Sequence, residues 1–297
     1  MTLKPNPDII APTIRIDRRL EKKRARSVGT VPEIRSDFGT TFLLSELMAG
    51  LSHALDVSEG HDQEHALRAC VIGMRVGQRL SLDSASMSDL FYALLLKDIG
   101  ASSNAAQIHY IFGRDDDQVR RALRRVDFGR LDEGARFMVW QLGGSVKLSR
   151  RLRYLFELGL GRFHGTGQLI KTRADRGAQL VDEMGFGPQV ATAIHAASER
   201  HDGSGGPRGL AGDEIPLLAR IVSLAQTAEQ YFAEGGVPAV SKLLSTRAGS
   251  WFDPVVASAL SQLLTLPSFW DDLERDSVWH ALTEAAPQGP PAVGQFA

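Results

Sequence analysis

The chain has 297 residues, 43% hydrophobic and 23% charged, enough to bury a large core in one helical domain or two smaller ones. With 34 Lys and Arg against 35 Asp and Glu its net charge is −1, which excludes a global field that would gather nucleic acid or acidic lipid. The single cysteine, Cys70, excludes an internal disulfide and a cysteine-built zinc site, and its neighbours Ala69, Val71 and Ile72 mark it as a small core residue.

Residues 1–40 hold four of the 13 prolines and the basic run Arg18-Arg19-Leu20-Glu21-Lys22-Lys23-Arg24-Ala25-Arg26. No aromatic interleaves those charges, so a partly disordered lead-in is expected rather than a nucleic-acid surface. No apolar run approaches the ~20 residues of a membrane span, and no signal-peptide apolar region opens the chain, so a cytoplasmic protein is expected.

From there to residue 284 the apolar spacing is helical. Leu43, Leu44, Leu47, Met48, Leu51 and Leu55 recur every three or four residues and predict an amphipathic helix. Leu67, Cys70, Val71, Met74, Val76 and Leu80 predict a second, ending near Ser81. The all-apolar stretch from Leu90 to Leu96 reads as a helix buried on every side. Residues 115–125 read as a charged surface segment and 152–160 as apolar again. Between them Gly143-Gly144-Ser145-Val146-Lys147 lacks the spacing of a phosphate loop and reads as a turn. Residues 178–184 end at Gly185, a glycine cap, and Pro188 opens a helix expected over 190–199. Helices over 217–232, 239–244 and 255–264 follow, and residues 285–297 read as a disordered Pro/Gly/Ala-rich tail. Period-two alternation never persists over a strand length, so the expected class is all-α.

The densest chemistry lies in Glu199-Arg200-His201-Asp202-Gly203-Ser204-Gly205-Gly206-Pro207-Arg208-Gly209-Leu210, where acidic residues run into a loop able to bring backbone close to a ligand. Elsewhere the residues able to do metal or acid–base work are few: Glu64-His65, Lys97-Asp98, His164 and His195. A dinuclear phosphohydrolase site needs more, because several His and carboxylate ligands must converge to bridge a hydroxide.

The order of these blocks resembles the HD-GYP branch of the HD-domain metal-dependent phosphohydrolases over roughly residues 42–265. Glu64-His65-Ala66-Leu67-Arg68 resembles the first ligand helix, and Leu94-Leu95-Leu96-Lys97-Asp98-Ile99-Gly100 the block that names the family, with Lys97 at its histidine. Ile170 to Ala178 resembles the next ligand block, with Arg173 at a histidine. The Gly/Pro loop then follows, with Gly206 at the tyrosine and Ala197 and Ser198 at the paired histidines. Ala219 to Gln226 is similar to a segment that ends on a ligand aspartate, here Gln226, and Trp251-Phe252-Asp253-Pro254 resembles the family's late turn.

The resemblance implies an HD-domain-like helical bundle over residues 41–284, with the Gly/Pro loop over a central pocket lined by His65, Arg68, Lys97, Asp98, Arg173, Glu199 and Asp202. His65 and Asp98 are what would remain of a metal site. An ammonium and a guanidinium offer donors and no lone pair, so Lys97 and Arg173 would repel a divalent ion. The expectation is therefore a catalytically degenerate bacterial signalling, sensory or scaffolding module, without catalysis and without a cofactor. It would bind a nucleotide or phosphate ligand, act through other signalling proteins, and make no membrane or nucleic-acid contact; a homodimer stays open. The alternative is an active Mn-, Fe- or Mg-dependent phosphodiesterase on cyclic di-GMP or a related nucleotide, its ligands redrawn from His65, Asp98, His195, Glu199 and Asp202. A third reading is a purely structural helical interaction domain. A buried Asp98 would need a cationic partner, and because neighbouring helical residues point apart, Arg68 or Arg173 suits it better than Lys97. Asp202 is expected to cap the loop.

Overall fold

A computed structural model describes residues 33–35, 41–59, 64–101, 164–271, 273 and 275–287. The segments read from sequence at 115–125, 143–147 and 152–160 lie outside them, as do the basic run and most of the tail. Two three-residue strands, β1 (Glu33–Arg35) and β2 (Thr41–Leu43), pair antiparallel with Glu33 opposite Leu43. All other regular structure among the described residues is helical, as the spacing predicts: α1 (Leu44–Glu59), α2 (His65–Arg79), α3 (Ser84–Leu96), α4 (His164–Glu183), α5 (Pro188–His195), α6 (Leu217–Arg247), α7 (Pro254–Leu263), α8 (Pro267–Asp271) and α9 (Arg275–Ala285).

The core is built on α3, whose residues from Leu90 to Leu96 are fully buried. Its antiparallel neighbour α2 comes close because Gly73 and Gly77, one turn apart on one face, have no side chains. A Cβ on Gly73 would sit 2.5 Å from Leu94 Cδ1, and one on Gly77 would sit 2.8 Å from Leu90 Cδ2. The long helix α6 lies along α2 and also touches α3, α5 and α7.

Helix ends follow local chemistry. Asp83 caps α3 by accepting from Ser86 N at 2.7 Å, and Asp253 caps α7 by accepting from Val255 N at 2.6 Å. Helix α2 is capped from outside itself: Glu64 makes no cap bond, and Asp56 of α1 accepts from Ala66 N at 2.8 Å. Gly185 ends α4 with a positive φ of 82°, where its carbonyl-side turn requires glycine. The two helices expected over 217–232 and 239–244 are both present, run together in α6 and separated at Gly236, whose φ of 60° and ψ of −157° leave helical geometry two residues before Pro238. The helix expected over 190–199 stops at His195, and a turn follows that puts Glu199 in the loop.

One backbone contact sets the geometry of everything below. After α3 the chain turns at 97–100, and Gly100 lies directly on α4: a Cβ there would stand 2.2 Å from Arg173 O and 2.7 Å from Gly177 N. Those neighbours are backbone and cannot swing away. Gly100→Ala should therefore force α3 and α4 apart and lower stability by about 3 kcal/mol, the upper range for overpacking. Chemical denaturation of the two proteins measures it, and an unchanged midpoint would mean that the turn and α4 do not touch as described.

Candidate functional site

The turn that brings Gly100 onto α4 places Asp98 beside Arg173. Arg173 donates from Nη2 to Asp98 Oδ1, and Lys97 Nζ donates to Asp98 Oδ2. The sequence expectation that Lys97 and Asp98 point apart fails because α3 ends at Leu96. Residues 97–100 form a turn held by Ile99 N to Leu96 O at 3.0 Å and Ala101 N to Asp98 O at 2.9 Å, in which adjacent side chains can meet. The Lys97 side chain is 1% exposed and Asp98 6%, whereas Arg173 is 28% exposed and forms the outer edge of the group.

Arg68 was the other expected partner of Asp98, and the structure gives it a different one. Its Nε donates to Glu229 Oε1 at 2.7 Å, and His65 Nδ1 is hydrogen-bonded to Glu229 Oε2. Glu229 was missed in the sequence, although it falls one helical turn after Gln226 on an otherwise apolar face of α6. Burial pushes the Glu229 carboxyl up to about 7, against the pull of Arg68 and Lys97. Asp56, also missed, closes the group. Burial raises its carboxyl to about 6, opposed by Lys97 and by the Ala66 N–H bond. Lys97 thus lies within electrostatic reach of Asp98, Asp56 and Glu229 at once.

Glu199 is 2% exposed and organises the Gly/Pro loop: Oε1 accepts from Arg208 N at 2.7 Å and Oε2 from Leu210 N at 3.1 Å. Gly205 lets the loop fold back, since a Cβ there would lie 2.4 Å from Arg200 N. Gly206 then rests on α4, its Cβ position 3.4 Å from Ile170 Cγ2, one turn before Arg173 on the same face. Asp202 is exposed and accepts from Ser204 N at 2.9 Å, the loop cap expected of it. His195 pairs with Asp175 at 3.0 Å across the α4–α5 contact. Gln226 Nε2 donates to Ala197 O at 3.3 Å, so these two sequence-singled positions are neighbours. Arg220 bonds Asp253 at 2.6 Å and ties the late turn to α6.

These contacts test whether the described residues are arranged to hold a divalent metal, and as placed they are not. The oxygens of Asp98 face two cations, His65 and Glu229 bond each other, and Arg68 holds the remaining Glu229 oxygen. The redrawn ligand set of His65, Asp98, His195, Glu199 and Asp202 is divided among separate partners: Glu229, the two cations, Asp175, the loop amides and Ser204. Among the described residues no group of three or more His, Cys, Asp or Glu side chains is placed to hold a metal ion.

Residues 166–256 match the family model described as HD domain. Over 238 residues the chain is 36% identical to the 3'3'-cGAMP-specific phosphodiesterase 3 of Vibrio cholerae serotype O1 (strain ATCC 39315 / El Tor Inaba N16961), covering 80% of this chain and 52% of that protein. A crystal structure of a cyclic GMP-AMP specific phosphodiesterase of V. cholerae superposes with a TM-score of 0.62 at 33% identity, over 82% of this chain and 54% of that one. Residues 166–256 thus carry an HD domain, and the chain spans about half the length of these relatives. No helix among the described residues is long and apolar enough to cross a membrane.

The likeness corrects the expectation of a catalytically degenerate signalling module. Four-fifths of the chain follows a cyclic-dinucleotide phosphodiesterase. The physical reason for the error is that cations at ligand positions speak against metal binding there. They do not speak against handling a phosphodiester, which itself needs positive charge.

Two outcomes follow from the buried charges. Asp98→Ala leaves Lys97 buried without its carboxylate and should destabilise the fold by about 3–5 kcal/mol. A melting curve superimposable on the parent would show that the cations do not depend on Asp98. Asp56 and Glu229 have folded-state values above those of the unfolded chain, so the folded state binds more protons and stability falls as pH rises through about 4 to 7. Asp56→Asn keeps an acceptor for Ala66 N and carries no charge. Its melting temperature should match the parent near pH 4 and exceed it at pH 8, and thermal scans across that range that show no widening gap would contradict the assignment.

Proposed function

We propose that this chain acts in hydrolysis of a 3'3'-linked cyclic dinucleotide, opening the ring at one phosphodiester by addition of one water. The observation that carries the reading is the 36% identity, over four-fifths of the chain, to a phosphodiesterase specific for 3'3'-cGAMP. The site supports it in three ways. A phosphodiester keeps one negative charge, and Lys97 and Arg173 supply cationic donors beside the middle of α4, with Arg173 on the exposed edge. The loop held by Glu199 lies over the same face of α4, so backbone can close on a planar base or sugar. His65 and Arg68 of α2 and Glu229 of α6 form a bonded group that joins those two helices.

In this reading Asp98 orients the two cations and Glu199 holds the loop in the shape the substrate meets. The described side chains are not arranged to hold a divalent metal, so the roles of these residues are binding and orientation.

The full chain incubated with 3'3'-cGAMP and with cyclic di-GMP, in the presence of Mn²⁺, Fe²⁺ or Mg²⁺, should give a linear dinucleotide resolved by ion-exchange chromatography. Glu199→Ala should raise KM about tenfold or more with a smaller change in kcat, because it frees the loop rather than removing a reacting group. Failure to form linear product from either nucleotide with any of the three metals overturns the proposal.

A further inference from the structure

We propose that Trp251 is a positioning residue, the side chain that fixes the Gly/Pro loop in its place over α4. The inference rests on the reading above for what the loop meets. It goes beyond that reading by assigning the loop's position, as distinct from its shape, to a residue outside the loop.

Glu199 shapes the loop from within, since the amides it accepts from, Arg208 N and Leu210 N, belong to the loop itself. Gly212 N donates to His201 O at 2.9 Å and closes the same segment at its base. Neither set of bonds says where the closed segment stands. An attachment to the helices runs through the turn between α6 and α7, where His201 N donates to Trp251 O at 3.1 Å and Asp202 N to Ser250 O at 2.8 Å. That turn is rooted in the last residue of α6: Trp251 N donates to Arg247 O at 3.0 Å, and Ser250 N and Phe252 N donate to the same oxygen at 3.2 Å. The bond from Arg220 to Asp253 fixes its far end.

The Trp251 side chain spans this joint. The guanidinium of Arg200, at the loop's entry, lies 4.1 Å from the centre of its ring, and that of Arg247, at the end of α6, lies 4.2 Å from it. Both are within the distance at which the negative face of a ring attracts a cation, and the indole is buried, where that attraction is strongest. Arg200 and Arg247 carry like charges, which an aliphatic side chain at this position would leave to repel each other. The indole draws both to one point. Filling a core needs apolar volume alone, so the paired guanidiniums are what mark a positioning role. Arg200 also adjoins Glu199, so the contact that holds it holds the base of the carboxylate that shapes the loop. Trp251 thus acts through Arg200 and the backbone of residues 201 and 202 rather than on the substrate.

Amide hydrogen exchange of the full chain without nucleotide, read by mass spectrometry, tests it together with KM and kcat for 3'3'-cGAMP in Mn²⁺. Trp251→Leu keeps apolar volume and removes the ring. Exchange over residues 200–212 should quicken about tenfold or more, the scale of a lost cation–π contact in a desolvated place, while residues 90–96 of α3 keep the parent's protection. KM should rise about tenfold with a smaller change in kcat. Trp251→Phe restores a ring face and should bring both readings back towards the parent. Should Trp251→Leu not fold, Arg200→Gln removes the loop-side cation without touching the core and should loosen the same segment. Unchanged exchange over 200–212 overturns the inference, as does quickening that extends equally to 90–96. A Phe variant no better than Leu, or a loosened loop with unchanged KM, overturns it too. Selective loosening reversed by Phe, in a chain whose parent turns over no nucleotide, supports the inference and defeats the proposed hydrolysis. Turnover by the parent with an unmoved loop in the variants does the reverse.

Discussion

The bracket of Asp98 between Lys97 and Arg173 is the interaction on which the rest of the site depends. A carboxylate and an ammonium about 4 Å apart attract by about 4 kcal/mol in surroundings with an effective dielectric near 20. Removing each ion from water costs several kcal/mol, so a single pair barely balances. Two cations on one carboxylate shift that balance, and the second is available only because Gly100 lets the turn after α3 lie directly on the backbone of α4. Helix packing and site electrostatics are thus one constraint. The small residue that permits the crossing also permits the charge to be buried.

The second group, His65 and Arg68 on α2 with Glu229 on α6, joins the two helices that lie along each other most closely. Lys97 and Asp56 link it to the first. The result is a continuous buried set of three carboxylates and three permanent cations, with His65 between them: Asp56, Asp98 and Glu229 against Arg68, Lys97 and Arg173. Such a set is rigid because no member can move without stranding another in low dielectric. Its weak point is Asp56, whose Oδ1 has no hydrogen-bond partner and whose charge Lys97 only partly offsets. Protonation there relieves the folded state, which is why acid, unusually for a carboxylate-rich site, favours it.

Most of the helical framework was legible in the sequence because it rests on spacing and caps. The seven apolar residues from Leu90 had no polar face to turn outward and could only be central. Gly185 and Pro188 marked an end and a beginning through backbone chemistry that tertiary context does not override. The helix expected through Glu199 failed because a buried carboxylate there finds two loop amides, a long-range reward that periodicity does not register. The charged floor was legible only in part. His65 and Asp98 were singled out by chemistry and position, but Glu229 lies 164 residues from His65, and its one local sign is a carboxylate on the apolar face of α6. The five-residue α8 carries too few turns to show a period.

The functional reading went wrong where residue type was taken for activity. Lys97 and Arg173 stand where the family resemblance places histidines, and the sequence alone invites the conclusion that nothing remains to be done there. A metal performs two tasks together, neutralising phosphate and activating water. The first needs only positive charge with donors at the right place, so cations at those positions do not by themselves argue against phosphodiester chemistry. Such charge is covalently part of the chain, so it follows folding rather than the supply of a metal or the presence of a chelator. The position of that charge is set by the packing of α3 on α4, and the residue that governs it most directly is the glycine at position 100, whose lack of a side chain lets it lie against Arg173 O and Gly177 N.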